Sequence, residues 1–432
     1  MKIFILSIFL ALPTLCLATD YIAVGTAKAK KPLVALQSDL VEENMRAVAK
    51  EVTTTVDRNL KYLSAFELLA EPAFSDLAKN STPGSFSFEG WKTLKTDFLF
   101  KYKVKKEPDG FSVSGTLFSV SNEKAILAKI WSAKIADAKK LAHTVSDDLV
   151  YAITGDKGIF RSKIVAVCDR TAKKELYLMD FDGSNLLQLT KHHSLTLSPA
   201  FSPKGDRIAY SLIAKNRKNI KNTNLYELDL KTKSVKLLSD RIGINSGANY
   251  HPDGSRIALT MSFLGNPEIF VFDPRDRSVS RLTKNGAIDV DPNFSPTGKE
   301  LSFVSNRDGK SMIYKMNADG KNVERLTFAG EYNATPAWSP TGKKIVFAGW
   351  VDKKFDLFLM NSDGTQLERL TKNQGNNEDP SFSPDGNFIV FSSTRSDGKT
   401  KNLYTMAIDG TQEKRLTYGA GSCVSPRWTN TN

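Results

Sequence analysis

Apolar and polar positions alternate with period two through the second half of the chain, in short runs separated by turn residues. The stretch from Asp291 to Thr327 shows one unit. Its runs Pro292 to Ser295, Leu301 to Val304, Met312 to Met316 and Val323 to Thr327 are bounded by Pro-Thr-Gly, Arg-Asp-Gly and Ala-Asp-Gly. Such alternation between such turns predicts four strands joined by hairpins. The unit then repeats. An aromatic after an aliphatic recurs at Tyr177, Tyr226, Phe270, Tyr314, Phe358 and Tyr404, at intervals of 49, 44, 44, 44 and 46 residues. Two further columns keep the same register: Leu189, Leu238, Leu282, Leu326, Leu370 and Leu416, and the aromatics Phe201, Tyr250, Phe294, Trp338, Phe382 and Trp428. Four strands per repeat of this length describe a propeller blade.

The two ends of the repeat region complete one another. The first unit offers only a second, third and fourth strand, at Lys163 to Cys168, Glu175 to Met179 and Leu186 to Thr190, and the last offers only a first strand, at Ser425 to Thr429. The expected fold is therefore an all-β six-bladed propeller closed by the C-terminal strand, which removes open sheet edges. An α/β domain precedes it. There the pattern predicts a strand at Pro32 to Gln37, an amphipathic helix within Ser38 to Leu63 with Ser38 or Asp39 as cap, and a strand at Phe66 to Leu69. A meander follows over Asp97 to Lys105, Phe111 to Val120 and Ala125 to Ala133, and then a helix over Asp137 to Ile153.

The N-terminus changes the picture of where the protein works. Residues 1–18 carry Lys2, an apolar run from Ile3 to Leu12 and a small residue, Ala18, before Thr19. This is the pattern of an export signal, too short for a membrane span, with cleavage expected after Ala18. A lipid anchor on Cys16 is disfavoured because Leu15, not a small residue, precedes it. The expected divisions are a signal peptide over 1–18, a mobile tail over 19–31, an α/β domain over 32–158 and the propeller over 159–432, with no membrane span.

Composition and charge narrow the function. Lys and Arg number 60 against 47 Asp and Glu, a net charge of +13 spread over 432 residues, and no nucleic-acid motif accompanies it. The four histidines, His143, His192, His193 and His251, show no metal-binding spacing, and there is no Gly-x-Ser-x-Gly, phosphate loop or dinucleotide fingerprint. No catalytic residue, cofactor or metal is expected. The eight Asp-Gly pairs of the repeat region, among them Asp308-Gly309 and Asp319-Gly320, read as hairpin turns rather than as a carboxylate array.

Strand alternation puts the second-to-third and interblade loops on one face of the disc. Ser198, Gly247, Asp291, Thr335, Asp379 and Ser425 are expected around its central mouth, with Asp289, Asn333, Asn377 and Glu378 nearby. The basic insertion Lys215 to Lys221 falls on the same face. Polar loops on a rigid scaffold are where recognition usually resides. Two readings stay open: a protein-binding scaffold, or a propeller enzyme of lyase or lactonase type that holds a central cation with Asp291, Asp379 and Glu378.

The junction Ala142-His143 to Asp147, followed by Thr154-Gly155-Asp156-Lys157-Gly158-Ile159-Phe160-Arg161, together with the Pro-x-Phe-Ser-Pro-x-Gly and Arg-Leu-Thr repeats, resembles the TolB family, periplasmic propellers of the Tol-Pal system. The likeness covers the chain from residue 19 onward. It implies a monomer in the periplasm that serves outer-membrane integrity and constriction during division. The lipoprotein Pal would bind at the propeller mouth through Asp289, Asp291, Asn333, Thr335, Asn377, Glu378 and Asp379. TolA would bind the tail through Thr19, Asp20, Tyr21, Ile22 and Val24. Other outer-membrane lipoproteins are further partners of the kind implied. The chain departs from the family pattern at Asp291, where Glu is usual, at Ala248, which replaces the repeated Pro, and at His251, which replaces a Ser.

One expectation concerns this chain alone. Superimposing the closing blade on the blade of Asp289 sets Cys423 at Asp289 and Cys168 at Ser305. A four-residue turn would pair Ser305 with Val290, one residue away. A disulfide across the ring closure is one reading, in an oxidising compartment, and two buried thiols the other.

Overall fold

The structure, a computed structural model, describes residues 31–429 other than 40, 64, 80–86, 217 and 420. The expected signal segment and the tail residues Thr19, Asp20, Tyr21, Ile22 and Val24 lie outside them.

The N-terminal region is a five-stranded sheet. Its strands β1 (Leu33–Ser38), β2 (Glu67–Leu68), β3 (Phe98–Glu107), β4 (Gly110–Ser119) and β5 (Lys124–Ala133) lie in the order β2-β1-β3-β4-β5. β1 runs parallel to β2 and β3, and β3, β4 and β5 form the expected antiparallel meander. Helices α1 (Arg46–Tyr62) and α4 (Ala138–Thr154) cover one face, and the short α2 (Ser75–Lys79) and α3 (Glu89–Thr93) bring Phe74 and Trp91 onto Ala35, Leu99 and Val120. The buried face of α1 carries Val48, Val52, Val56 and Leu60, a spacing of four that matches the helical turn.

That helix begins later than its sequence pattern suggests. Ser38 does not cap it: Gln37 and Ser38 still pair with Lys101 and Tyr102 of β3. A 3-10 turn over Glu43–Met45 leads into α1, with no side-chain cap. Pairing with a long central strand outweighs the local cap preference of Ser and Asp.

Six four-stranded sheets make the propeller. Their innermost strands are Cys423–Trp428, Thr196–Phe201, Asn245–Tyr250, Asp289–Phe294, Asn333–Trp338 and Asn377–Phe382, defining blades 1 to 6 in that order. Blade 1 closes the ring, because Cys423–Trp428 pairs with Lys163–Cys168. The glycines of the eight Asp-Gly pairs in the propeller have φ between 75° and 93°, as hairpin turns require. At Gly320 a Cβ would also meet the Leu282 carbonyl oxygen of the preceding blade at 2.6 Å, so glycine there serves both the turn and the blade contact.

The two regions share one core. Tyr62, at the end of α1, sets its ring against Phe181 of blade 1 (5.2 Å) and Phe388 of blade 6 (5.4 Å), and its hydroxyl lies 3.0 Å from Thr405 Oγ1. The linker is held by Asp147 of α4. Its carboxylate accepts from the backbone N–H of Phe160 (2.9 Å) and from Arg161 Nε (2.8 Å). Gly158 passes so close that a Cβ would meet Asp147 Oδ1 at 2.1 Å and its Cα at 2.7 Å. The motif noted at this junction in the sequence is a clamp between the two regions.

Candidate functional site

The mouth is built by one irregularity repeated six times. In every innermost strand the pairing register slips by one residue near the start, which is a β-bulge. Ser198, Gly247, Asp291, Thr335, Asp379 and Ser425 occupy it, all with φ between 47° and 65°. Proline follows in five of the six, at Pro199, Pro292, Pro336, Pro380 and Pro426. A bulge tolerates proline because the ladder N–H is already lost there. The left-handed backbone aims these residues at the axis, where with Arg427 they surround a neck of about 50 Å³.

Carboxylates tie neighbouring blades together in this neck. Asp379 accepts from the Ser425 backbone N–H at 3.0 Å, and Asp291 accepts likewise from that of Thr335. Burial pushes the Asp291 carboxyl above its usual range and the Asp379 charge adds to this, while Arg427 opposes both. Just below the neck the side chains of Asn249 and Asn293 accept from the backbone N–H groups of Phe294 (2.8 Å) and Trp338 (3.0 Å) of the next blade.

The sequence-predicted mouth residues separate into two sets. Asp291, Thr335 and Asp379 line the neck. Glu378 stands beside it, half-buried and paired with Lys401 at 2.7 Å. Asp289, Asn333 and Asn377 are buried instead of presented at the surface. Asp289 pairs with Arg307 (3.1 Å), and Asn377 accepts from Arg395 Nη2 (2.8 Å) and Ser393 Oγ (2.8 Å). Asn333 donates to Thr327 Oγ1 at 2.9 Å. Residues two positions before the bulge point into the blade, so these three hold the loops that carry the neck residues.

The same inward position in blade 1 is Cys423, which is bonded to Cys168. The two stand directly opposite one another, as do Asp289 and Ser305. Counting residues from the turn sets these pairs one residue apart because it leaves out the bulge.

The face around the mouth carries side chains that periodicity did not single out. Ile242, Ile244, Ile288, Phe328, Tyr332 and Tyr418 on interblade loops, with Ile220 and Leu264 on second-to-third loops, are all exposed. Phe328 is 75% exposed and Tyr418 63%. Each ring is backed by an arginine, Arg325 at 5.0 Å and Arg415 at 4.8 Å, which leaves its other side open. A signal was present in the sequence: Phe328 and Tyr418 follow Arg-Leu-Thr where the blades of Arg281 and Arg369 have Lys284 and Lys372. The insertion Lys215 to Lys221 emerges on this face too, from strands Arg207–Lys215 and Lys221–Asp229. Among the described residues no group of three or more His, Cys, Asp or Glu could hold a metal ion.

A family model for the TolB beta propeller domain matches residues 150–432, and one for the TolB amino-terminal domain matches residues 20–126. The chain belongs to the TolB family. It is 38% identical over 161 residues to the Tol-Pal system protein TolB of Geobacter metallireducens, a match covering 37% of each chain. With the protein of that name from Rickettsia felis it shares 29% identity over 263 residues, 60% of this chain and 58% of that one. These matches span less than two thirds of the relatives' own length. The solved structure of TolB from Acinetobacter baumannii superimposes with a TM-score of 0.78 at 25% identity, covering 93% of this chain and 97% of that one. Membership of the TolB family supports a role in the Tol-Pal system. No helix among the described residues is long and apolar enough to cross a membrane.

Proposed function

We propose that this chain is a periplasmic protein-binding scaffold of the Tol-Pal system. In this reading it binds Pal at the propeller mouth through Asp291, Thr335, Glu378 and Asp379, and TolA through the tail at residues 19–31, in support of outer-membrane integrity and of constriction during division. The observation that carries it is the exposed apolar rim around a narrow polar neck. Exposed aromatic and aliphatic side chains gathered on one face around a polar centre are a feature of recognition surfaces. A neck of about 50 Å³ has room for a water molecule or two.

The test is calorimetric titration with the Pal domain of the same organism. Asp291→Lys and Phe328→Asp should each weaken binding at least tenfold, about 1.4 kcal/mol, while deletion of residues 19–31 leaves it unchanged and abolishes TolA binding. No binding by the unaltered protein would overturn the assignment of Pal, and retained stoichiometric metal would revive the enzyme reading.

A further inference from the structure

Beyond the neck the central channel widens. Toward the first-to-second turns it becomes a funnel of about 630 Å³, walled by Tyr250, Phe294, Trp338 and Trp428 and, at the turns, by prolines such as Pro296 and Pro340. That volume, and a wall of rings and prolines with few polar groups, are those of a small-molecule site. Both charged residues that line it are cations: Lys157 of the linker, and Arg427, which also lines the neck and so stands at the throat between the two.

The throat is a ring of equivalent positions, each two residues after a bulge: Ala200, Asn249, Asn293, Ala337, Ser381 and Arg427. All of them line the funnel. The polar members have donors to spare and no side-chain acceptor. The side-chain oxygens of Asn249 and Asn293 are taken up by the backbone N–H groups of Phe294 and Trp338, which also fixes the orientation of each amide, since a backbone N–H can only donate. Neither Nδ2 has an acceptor among the described residues. Ser381 Oγ accepts from the backbone N–H of Trp428 at 3.3 Å, and its own hydrogen is unclaimed. Arg427 donates from Nη1 to the Pro426 carbonyl at 2.8 Å and forms no ion pair among the described residues. Two amide groups, a hydroxyl and a guanidinium that converge without an acceptor call for the oxygens of an anion.

We propose that the funnel binds a small organic acid, with its carboxylate in this donor ring and its apolar body against the rings and prolines of the wall. A carboxylate matches the planar fork of Arg427. Asp291 and Asp379 stand across the ring, in the neck, so one negative charge on the headgroup is matched by Arg427 and a second is repelled. From Asn293 to Pro296 is three residues of extended chain, roughly 10 Å, about the length of octanoate or 4-phenylbutyrate. The ligand enters from the face opposite the mouth, past Lys157, and the site stands or falls independently of what the mouth and the tail bind.

The test is calorimetric titration of the chain from residue 19 with octanoate and 4-phenylbutyrate, and with acetate, octanol, 4-phenylbutanol and octyl phosphate as comparisons. Both longer acids should bind at one site, at least tenfold more tightly than acetate, which lacks the body, and than the alcohols, which lack the charge. Octyl phosphate should bind more weakly than octanoate. Arg427→Gln should weaken octanoate at least tenfold, and so should Ala337→Leu, which narrows the throat without changing its charge; unchanged thermal unfolding would show that both variants are folded. Absent binding of both longer acids, equal binding of acid and alcohol, or affinity indifferent to either substitution would overturn the proposal, and tighter binding of octyl phosphate would overturn the choice of a carboxylate.

Discussion

His143 shows how one residue can make the joint between the two regions sensitive to acid. It is buried on α4, edge-on to Phe181 at 5.6 Å, and Asn59 of α1 donates to its Nδ1 at 2.9 Å. Burial holds its pKa down at about 4, nearby Lys139 and Arg58 act in the same direction, and Asp180 and Asp182 oppose them. The unfolded chain therefore binds a proton on this residue between roughly pH 6.5 and 4 that the folded chain excludes. Its contribution is complete above pH 6.5 and is lost as pH falls through that window, by on the order of 3 kcal/mol in all. Urea denaturation at pH 7.5 and 4.5 should show this fall, and His143→Gln should show a smaller one. The junction motif named His143 in the sequence but not its acid sensitivity, because a lone histidine on an amphipathic helix reads the same whether its ring meets solvent or a neighbouring blade.

At the scale of elements, strands and turns were legible and register was not. Every blade strand in the Asp291 unit lies within three residues of its expected place, since period-two alternation and Asp-Gly turns are local properties. The bulge is also local, but its signal, a polar residue before proline, reads equally as an ordinary turn. Only its sixfold recurrence in space shows it to be the device that builds the mouth. The burial of Asp289, Asn333 and Asn377 was not legible for this reason: they sit two residues from the bulge, where one slip of register decides between rim and interior. The start of α1 was misread because β1 pairs with β3, some sixty residues on, and no local pattern reports that. The linker is the element most open to direct test. Gly158→Ala would drive a Cβ into the Asp147 carboxylate and backbone, at a cost of roughly 1–3 kcal/mol. Thermal unfolding should show the loss, and proteolysis should cut the linker faster than in the unaltered chain.

For the whole molecule, the ring is closed at a seam that joins residues 255 positions apart, Cys168 and Cys423. On the chain-entropy estimate this bond stabilises by up to roughly 5 kcal/mol. Its reduction, or Cys168→Ser with Cys423→Ser, should lower the unfolding temperature. Faster migration without reductant and the absence of titratable thiols in the unfolded protein would confirm that the bond forms in solution. The seam also imposes an order of events. Blades 2 to 6 each use contiguous chain and can form as soon as their own residues are available, but the inner strand of blade 1 is synthesised after all of them. Until it arrives, Lys163–Cys168 waits with its inner side uncovered and Cys168 without its partner. The ring can be completed only after residues 423–428 are synthesised, so a chain halted at residue 422 would carry five finished blades and no propeller.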